Sequence, residues 1–294
     1  MKNLLLAVLF LTALFSSCQQ ENSEVKAIAA LEKKVEVEPS EVLANELNAM
    51  YLDYINQHPE DKKNNASYLY RAAALEYRMD RYSGAASLLK TLIEAYPGSS
   101  VVAEGAHLLA SIYEEKLQAP EVAQTIYQLF ERAFPNYGDL ESIRQKTGDI
   151  ALNERLNNLY SKIFDPSEGM LNPVTGNQYI QSIENLVVLS PDYPNAPEYL
   201  LKAAETARTM RSFNKTLELY AKVMEKYPDF EKIPQVKFLE AFTLDNDLKQ
   251  YDLAKLKYEA FLKDFPDHEF VDDTRFLLEN LGKSDEAIIN TFEK

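Results

Sequence analysis

The stretch Tyr68–Pro97, YLYRAAALEYRMDRYSGAASLLKTLIEAYP, decides the fold. Its second half carries Tyr82, Ala85, Leu89 and Leu92 before the closing Tyr96-Pro97. Offsets of 0, 3, 7 and 10 share one face of a 3.6-residue helix. That face is a stripe of large apolar side chains with one small notch at Ala85, into which a neighbouring helix can press. Pro97 ends the helix, because the residue before a proline is pushed out of helical geometry. The first half, rich in alanine, reads as a second amphipathic helix.

The same register returns along the chain. An aromatic residue precedes proline at Tyr96-Pro97, Phe134-Pro135, Tyr193-Pro194, Tyr227-Pro228 and Phe265-Pro266. Fifteen residues before these prolines stand Tyr82, Pro120, Tyr179, Phe213 and Tyr251. Three positions further on are Ala85, Ala123, Ser182, Thr216 and Ala254, all small. Offset 7 holds Leu89, Tyr127, Leu186, Tyr220 and Tyr258, and offset 10 holds Leu92, Phe130, Leu189, Val223 and Phe261. Alanine-rich amphipathic segments precede four of these helices, at Tyr68–Met79, Val101–Leu117, Pro197–Met210 and Pro234–Leu248.

This alternation of a helix A with a helix B that carries a small residue and a closing proline resembles the tetratricopeptide repeat (TPR). In the first unit Tyr70, Ala73, Ala74 and Tyr77 match the large, small, small, aromatic pattern of helix A, and Ala85 and Pro97 match helix B. Proline spacings of 38, 59, 34 and 38 residues bracket the 34-residue period of that family. The resemblance implies an all-α solenoid of helical hairpins wound as a right-handed superhelix. About five repeats plus helical caps then occupy residues 40–294. Ser40 is placed to N-cap a helix running to about Gln57, which ends at His58-Pro59. At the other end a helix over Phe270–Leu281 stops at Gly282, and a short one follows Ser284.

The third unit departs from the pattern, as an irregular insertion over 139–178. Its helix A is expected over Leu140–Phe164, followed by the loop DPSEGMLNPVTG (Asp165–Gly176) and a helix B that ends near Leu189. A loop of this length is a candidate contact site as well as a neutral insertion. Asp165 and Glu168 lack the spacing and the further acids of a calcium loop.

The amino end carries an address. Lys2, an apolar run from Leu4 to Phe15, then Ser16 and Ser17 form the three parts of an export signal over 1–17, too short to span a membrane. Cys18, the only cysteine, follows directly in LFSSCQQ. The string resembles a bacterial lipoprotein signal, with Phe15 where leucine is usual, and this implies diacylation of the Cys18 thiol and a further acyl chain on the new amino terminus. Residues 18–39 are expected to be a flexible tether reaching roughly 70 Å when extended, with a short helix as the alternative. Gln19 after the cysteine implies the outer membrane, and the thin acidic cluster at Glu21 and Glu24 favours the periplasmic face.

Charge and composition narrow the function. The net charge is −15, so nucleic acid and anionic surfaces are repelled. His58, His107 and His268 are far apart, and GxSxG, HExxH and phosphate-loop motifs are missing, so no enzyme, metal or cofactor is expected. Binding remains. On helices A, Arg71, Arg78 and Arg81, and again Lys202, Arg208 and Arg211, form a candidate basic strip for a carboxylate or acidic peptide; cross-repeat ion pairs are the alternative use. Anchor, repeats and length together look like the TPR lipoprotein subunit of the outer-membrane β-barrel assembly machinery, which implies a membrane-anchored scaffold for envelope proteins or peptides. The alternatives are a TPR protein of cell-envelope maintenance, similar to the Tol-Pal-associated coordinator, and a glycan-capture lipoprotein. The last is disfavoured by the absence of Trp.

Overall fold

The computed structural model describes residues 23–165 and 170–283. The export signal, Cys18, Glu168 and the short helix after Ser284 lie outside the described residues. Helices follow one another as α1 (23–37), α2 (Glu41–Gln57), α3 (Lys62–Arg78), α4 (Tyr82–Ala95), α5 (Val102–Ser111) and α6 (Pro120–Ala133). Then come α7 (Leu140–Thr147), α8 (Leu152–Ser161), α9 (Pro173–Leu189), α10 (Ala196–Thr209), α11 (Phe213–Lys226), α12 (Ile233–Phe242), α13 (Tyr251–Asp264) and α14 (Val271–Glu279). The chain forms two compact units, one through Ala123 plus Phe134–Leu140, the other Gln124–Ala133 plus the rest from Glu141.

Helices B follow the sequence register. The notch residues Ala85, Ala123, Ser182, Thr216 and Ala254 are all fully buried, as are Leu89, Tyr127, Leu186, Tyr220 and Tyr258 four residues on. The aromatic at offset 0 differs. At Tyr82, Phe213 and Tyr251 it is the first helical residue and keeps solvent contact, whereas Tyr179 sits inside α9 and is buried. Helices α2, α4, α11 and α13 all end at the residue before proline, where His58, Tyr96, Tyr227 and Phe265 are the C-caps. Close approach is visible at Gly105 of α5, where a Cβ would stand 2.9 Å from Leu92 Cδ2 of α4. Ser40 caps α2 by accepting from the Leu43 amide at 3.3 Å.

In α3 the buried face is set one residue earlier than the Tyr70, Ala73, Ala74, Tyr77 reading. Leu69, Ala72, Ala73 and Glu76 are buried, and the tyrosines at 70 and 77 are half-exposed. A carboxylate occupies the place expected of an aromatic because its partners come with it, as described below.

Residues 23–37 are helix rather than tether. Ile28 and Val35 are 2% and 4% exposed and join a cluster with Leu47, Tyr51, Tyr54, Tyr68 and Leu75. Spaced by seven, the two residues lie on one helix face. Thus α1 and α2 make a further hairpin, and few large apolar residues suffice because α2 and α3 supply the rest.

The long third helix A is two helices. Gly148 takes a left-handed φ of +67° between α7 and α8, and Arg155 Nη2 donates to the Thr147 carbonyl at 3.1 Å, meeting a carbonyl freed by the break. The loop after it is shorter than expected. Phe164–Asp165 pairs antiparallel with Met170–Leu171, and Asn172 caps α9 by accepting from the Thr175 amide.

Two helices A end in a π-helical turn, Ile112–Lys116 after α5 and Thr243–Asp247 after α12. These belong to the 38-residue spacings Pro97–Pro135 and Pro228–Pro266; the 34-residue spacing Pro194–Pro228 contains α10, which has none. Three more residues before helix A and one more within it account for the difference. Four A-to-B turns place a left-handed non-glycine residue two before helix B: Asp80, Gln118, Arg211 and Lys249, with φ of 51–61°. L-residues resist this conformation at a cost of about 1–2 kcal/mol. Gln118→Gly is therefore expected to stabilise the protein by about 1 kcal/mol and raise Tm by about 2–4 °C in thermal unfolding followed by circular dichroism. No gain, or a gain equalled by Gln118→Ala, would contradict this assignment.

Candidate partner-binding face

In the first unit two of the predicted cations pair with acids, Arg71 across hairpins and Arg81 within its own. Arg71 of α3 donates to Glu32 Oε1 of α1 at 2.7 Å, and the Tyr51 hydroxyl donates to the same oxygen at 2.6 Å. Burial is the largest single influence and opposes the Arg71 charge, but the bond to Glu32, the Glu32 charge, and Tyr51 and Tyr68 together outweigh it, so the guanidinium pKa is raised. Arg81 forks onto Glu76, 2.9 Å from Nε to Oε2 and 2.9 Å from Nη2 to Oε1, while Asn48 Nδ2 donates to Oε1 at 2.6 Å. Glu76 is only 8% exposed, and Gly84 leaves it room, since a Cβ there would meet Glu76 Oε2 at 2.9 Å. Arg78 is exposed at the end of α3.

In the second unit Arg208 of α10 donates from Nε to Asp247 Oδ2 at 2.6 Å, and its guanidinium lies 4.8 Å from the Phe242 ring centroid. Lys202 is held 5.8 Å over the Tyr160 ring of α8. Lys232 donates to both carboxylate oxygens of Glu198, at 2.9 and 2.8 Å. Cross-repeat ion pairs, the alternative use of the strip, are present at Arg71 and Arg208. Arg71, Arg81 and Arg208 make ion pairs and Lys202 lies over a ring, with Arg71 still exposed beside its partner, while Arg78 and Arg211 are exposed.

Between α10, α11 and the second π-helical turn lies an open cavity of about 470 Å³, lined by Glu205, Arg208, Arg211, Tyr220 and Asp247 among others. Tyr220, at 0% exposure, lines it, and its hydroxyl has no well-aligned hydrogen bond among the described residues. Burial, then the charge of Glu205, drives the phenol pKa upward. Glu205 itself is raised, first by burial and then by Glu198, against the lowering effects of Lys232, Lys202 and Arg208. The alignment located Tyr220 as core, and the π-helical turn that brings Asp247 alongside was legible only as an unexplained spacing. Of the predicted residues, Arg208 and Arg211 meet here.

Among the described residues no helix is long and apolar enough to cross a membrane, and no cluster of three or more His, Cys, Asp or Glu could hold a metal ion. A model of the tetratricopeptide repeat matches residues 67–99, which are α3 and α4. Among solved structures, the "TPR2AB-domain:pHSP90-complex of yeast Sti1" is 16% identical, covering 89% of this chain and 98% of that chain with a TM-score of 0.34. No curated protein matches the chain. One tetratricopeptide repeat is thus matched in sequence, and the described residues repeat its paired-helix arrangement along an essentially all-α chain.

A raised carboxyl has a readable consequence. Below its unfolded pKa, about 4.3, the contribution of Glu205 is fully present; it is lost as pH rises through the higher folded value. Glu205→Gln is therefore expected to be more stable than the unsubstituted protein at pH 7, with the gain gone at pH 4. Thermal unfolding of both proteins across this range checks it.

Proposed function

We propose that the chain is a lipid-anchored TPR scaffold of the bacterial cell envelope that holds a protein or peptide partner against its helix-A face. The observation that carries the binding half is the cavity beside α10, with Tyr220 at its wall and Glu205, Arg208, Arg211 and Asp247 around it. Two acids and two arginines suit a polar segment bearing both signs of charge better than the acidic peptide that a basic strip would take. The anchoring half rests on Cys18 and the apolar run before it. Gln19 supports the outer membrane, and the sparse acids after it support the periplasmic face.

Within this reading, the β-barrel assembly machinery is the preferred setting, and envelope maintenance beside Tol-Pal is the alternative. The anchor and repeat number support the first. Glycan capture finds less support, since Tyr127, Tyr179, Tyr220 and Tyr258 of the stripe are buried in packing. Photo-crosslinking from Arg211 or Thr209 in cells, with mass spectrometry, is expected to recover an envelope protein, and recovery of the barrel-assembly channel would favour the preferred setting. Cys18→Ala is expected to abolish acyl labelling and move the protein to the soluble fraction. Unchanged membrane association would sink the anchor, and loss of no crosslink on Tyr220→Phe together with Arg211→Glu would sink the cavity.

A further inference from the structure

The helical state of residues 23–37 changes what an anchor at Cys18 would do. Glu24 meets His58 Nε2 at 2.6 Å, so the start of α1 is fastened to the end of α2. Tyr54 donates to Asp61 Oδ2 at 2.7 Å and Asn65 Nδ2 donates to the His58 carbonyl at 2.8 Å, which fastens that end to the start of α3. Ser23 therefore belongs to the rigid body. Five residues from Cys18 to Ser23 span at most about 18 Å, against the roughly 70 Å of a full tether. An acylated Cys18 would hold this rim of the first unit at the bilayer surface.

The same rim contains an open pocket of about 640 Å³. Lys62 and Lys63 at the start of α3 line one side, and Tyr96, Gly98, Ser99 and Ser100 after α4 line the other. Neither lysine makes an ion pair among the described residues. Nothing lies within 4 Å of a Cβ placed on Gly98, so the loop is open to solvent. Asp61 already caps α3 by accepting from the Asn64 amide, so an incoming anion would be met by ammonium and hydroxyl groups rather than by the helix end. A tyrosine beside lysines is also the pairing that settles at a membrane–water interface.

We propose that this pocket takes the phosphate of a membrane phospholipid headgroup, and that the rim carrying Ser23, His58, Lys62 and Gly98 faces the bilayer. The inference rests on acylation of Cys18. A short leash supplies the reason for choosing a lipid over a free anion. The chain carries a net charge of −15, which disfavours anions arriving from solution, whereas the anchor presents headgroups at high effective concentration.

Helix α3 has 17 residues, so Asp80 beyond its far end lies about 25 Å from the rim. The test uses acylated full-length protein in phosphatidylcholine–phosphatidylglycerol vesicles that contain a headgroup spin-labelled lipid. A fluorophore is placed on Gly98→Cys or on Asp80→Cys; with Cys18 acylated, the introduced thiol is the only free one. Label at 98 is expected to be quenched several-fold more than label at 80. Lys62→Glu with Lys63→Glu should bring the two together without altering acyl labelling or membrane recovery. Equal quenching at 98 and 80 in membrane-recovered wild-type protein would overturn the inference while leaving the anchor standing. Loss of the difference on adding inorganic phosphate would overturn the lipid assignment in favour of a free-anion site. Absence of acyl labelling would overturn both readings.

Discussion

No helix B here exceeds 17 residues, and one of about 14 is marginal in water on its own. Stability must come from pressing the apolar stripe of each helix B against its neighbours, with a small residue at the point of closest approach. The five notch positions are completely excluded from solvent, which is what that packing requires. An aromatic ring buried there removes about 150–250 Å² from water, or about 4–6 kcal/mol at 25 cal/mol per Å² before entropy is subtracted. The rest of the repeat serves this contact. Proline stops each helix B in register, and a left-handed residue turns the chain between A and B even where no glycine is present.

Charge does a different job. Adjacent helices A are joined by Glu32–Arg71, Glu198–Lys232 and Arg208–Asp247, and adjacent helices B by Glu184–Lys215. The more exposed of these, Glu32–Arg71 and Glu198–Lys232, contribute about 0–1 kcal/mol each, too little to hold the hairpins together. They instead fix which face of one helix meets the next. Glu76 is the extreme case, since a buried carboxylate is tolerable only with Arg81 and Asn48 in place. The functional result is a helix-A face whose cations are mostly spoken for. A partner there meets both signs of charge and the wall of one polar cavity, not a basic track.

Helices B were legible in the sequence because large and small residues alternate at fixed offsets from a proline, and both ends of that relation are local. Helices A were less so. Their alanine-rich faces fit two registers in α3, and the choice between them falls on Glu76, whose partners Asn48 and Arg81 lie on other segments. Which cations of the candidate strip enter cross-repeat ion pairs was illegible for the same reason, because the acids that pair with Arg71 and Arg208 are 39 residues away in each case. The 38-residue spacings were visible without their cause, since a π-helical turn leaves no compositional mark. Helix α1 has too few apolar residues to announce itself, and only Ile28 and Val35, meeting a face built by α2 and α3, make it part of the fold.

Helix α1 is where packing, membrane distance and partner access meet. If it is a packed hairpin member, the rigid body begins within five residues of Cys18 and the leash is short. Native-state hydrogen exchange of the intact protein, read by mass spectrometry at peptide resolution, addresses this directly. Amides in 26–37 are predicted to exchange with protection comparable to that of α2 and α3. Exchange of that segment at the rate of an unstructured chain, with α2 and α3 protected, would contradict the account.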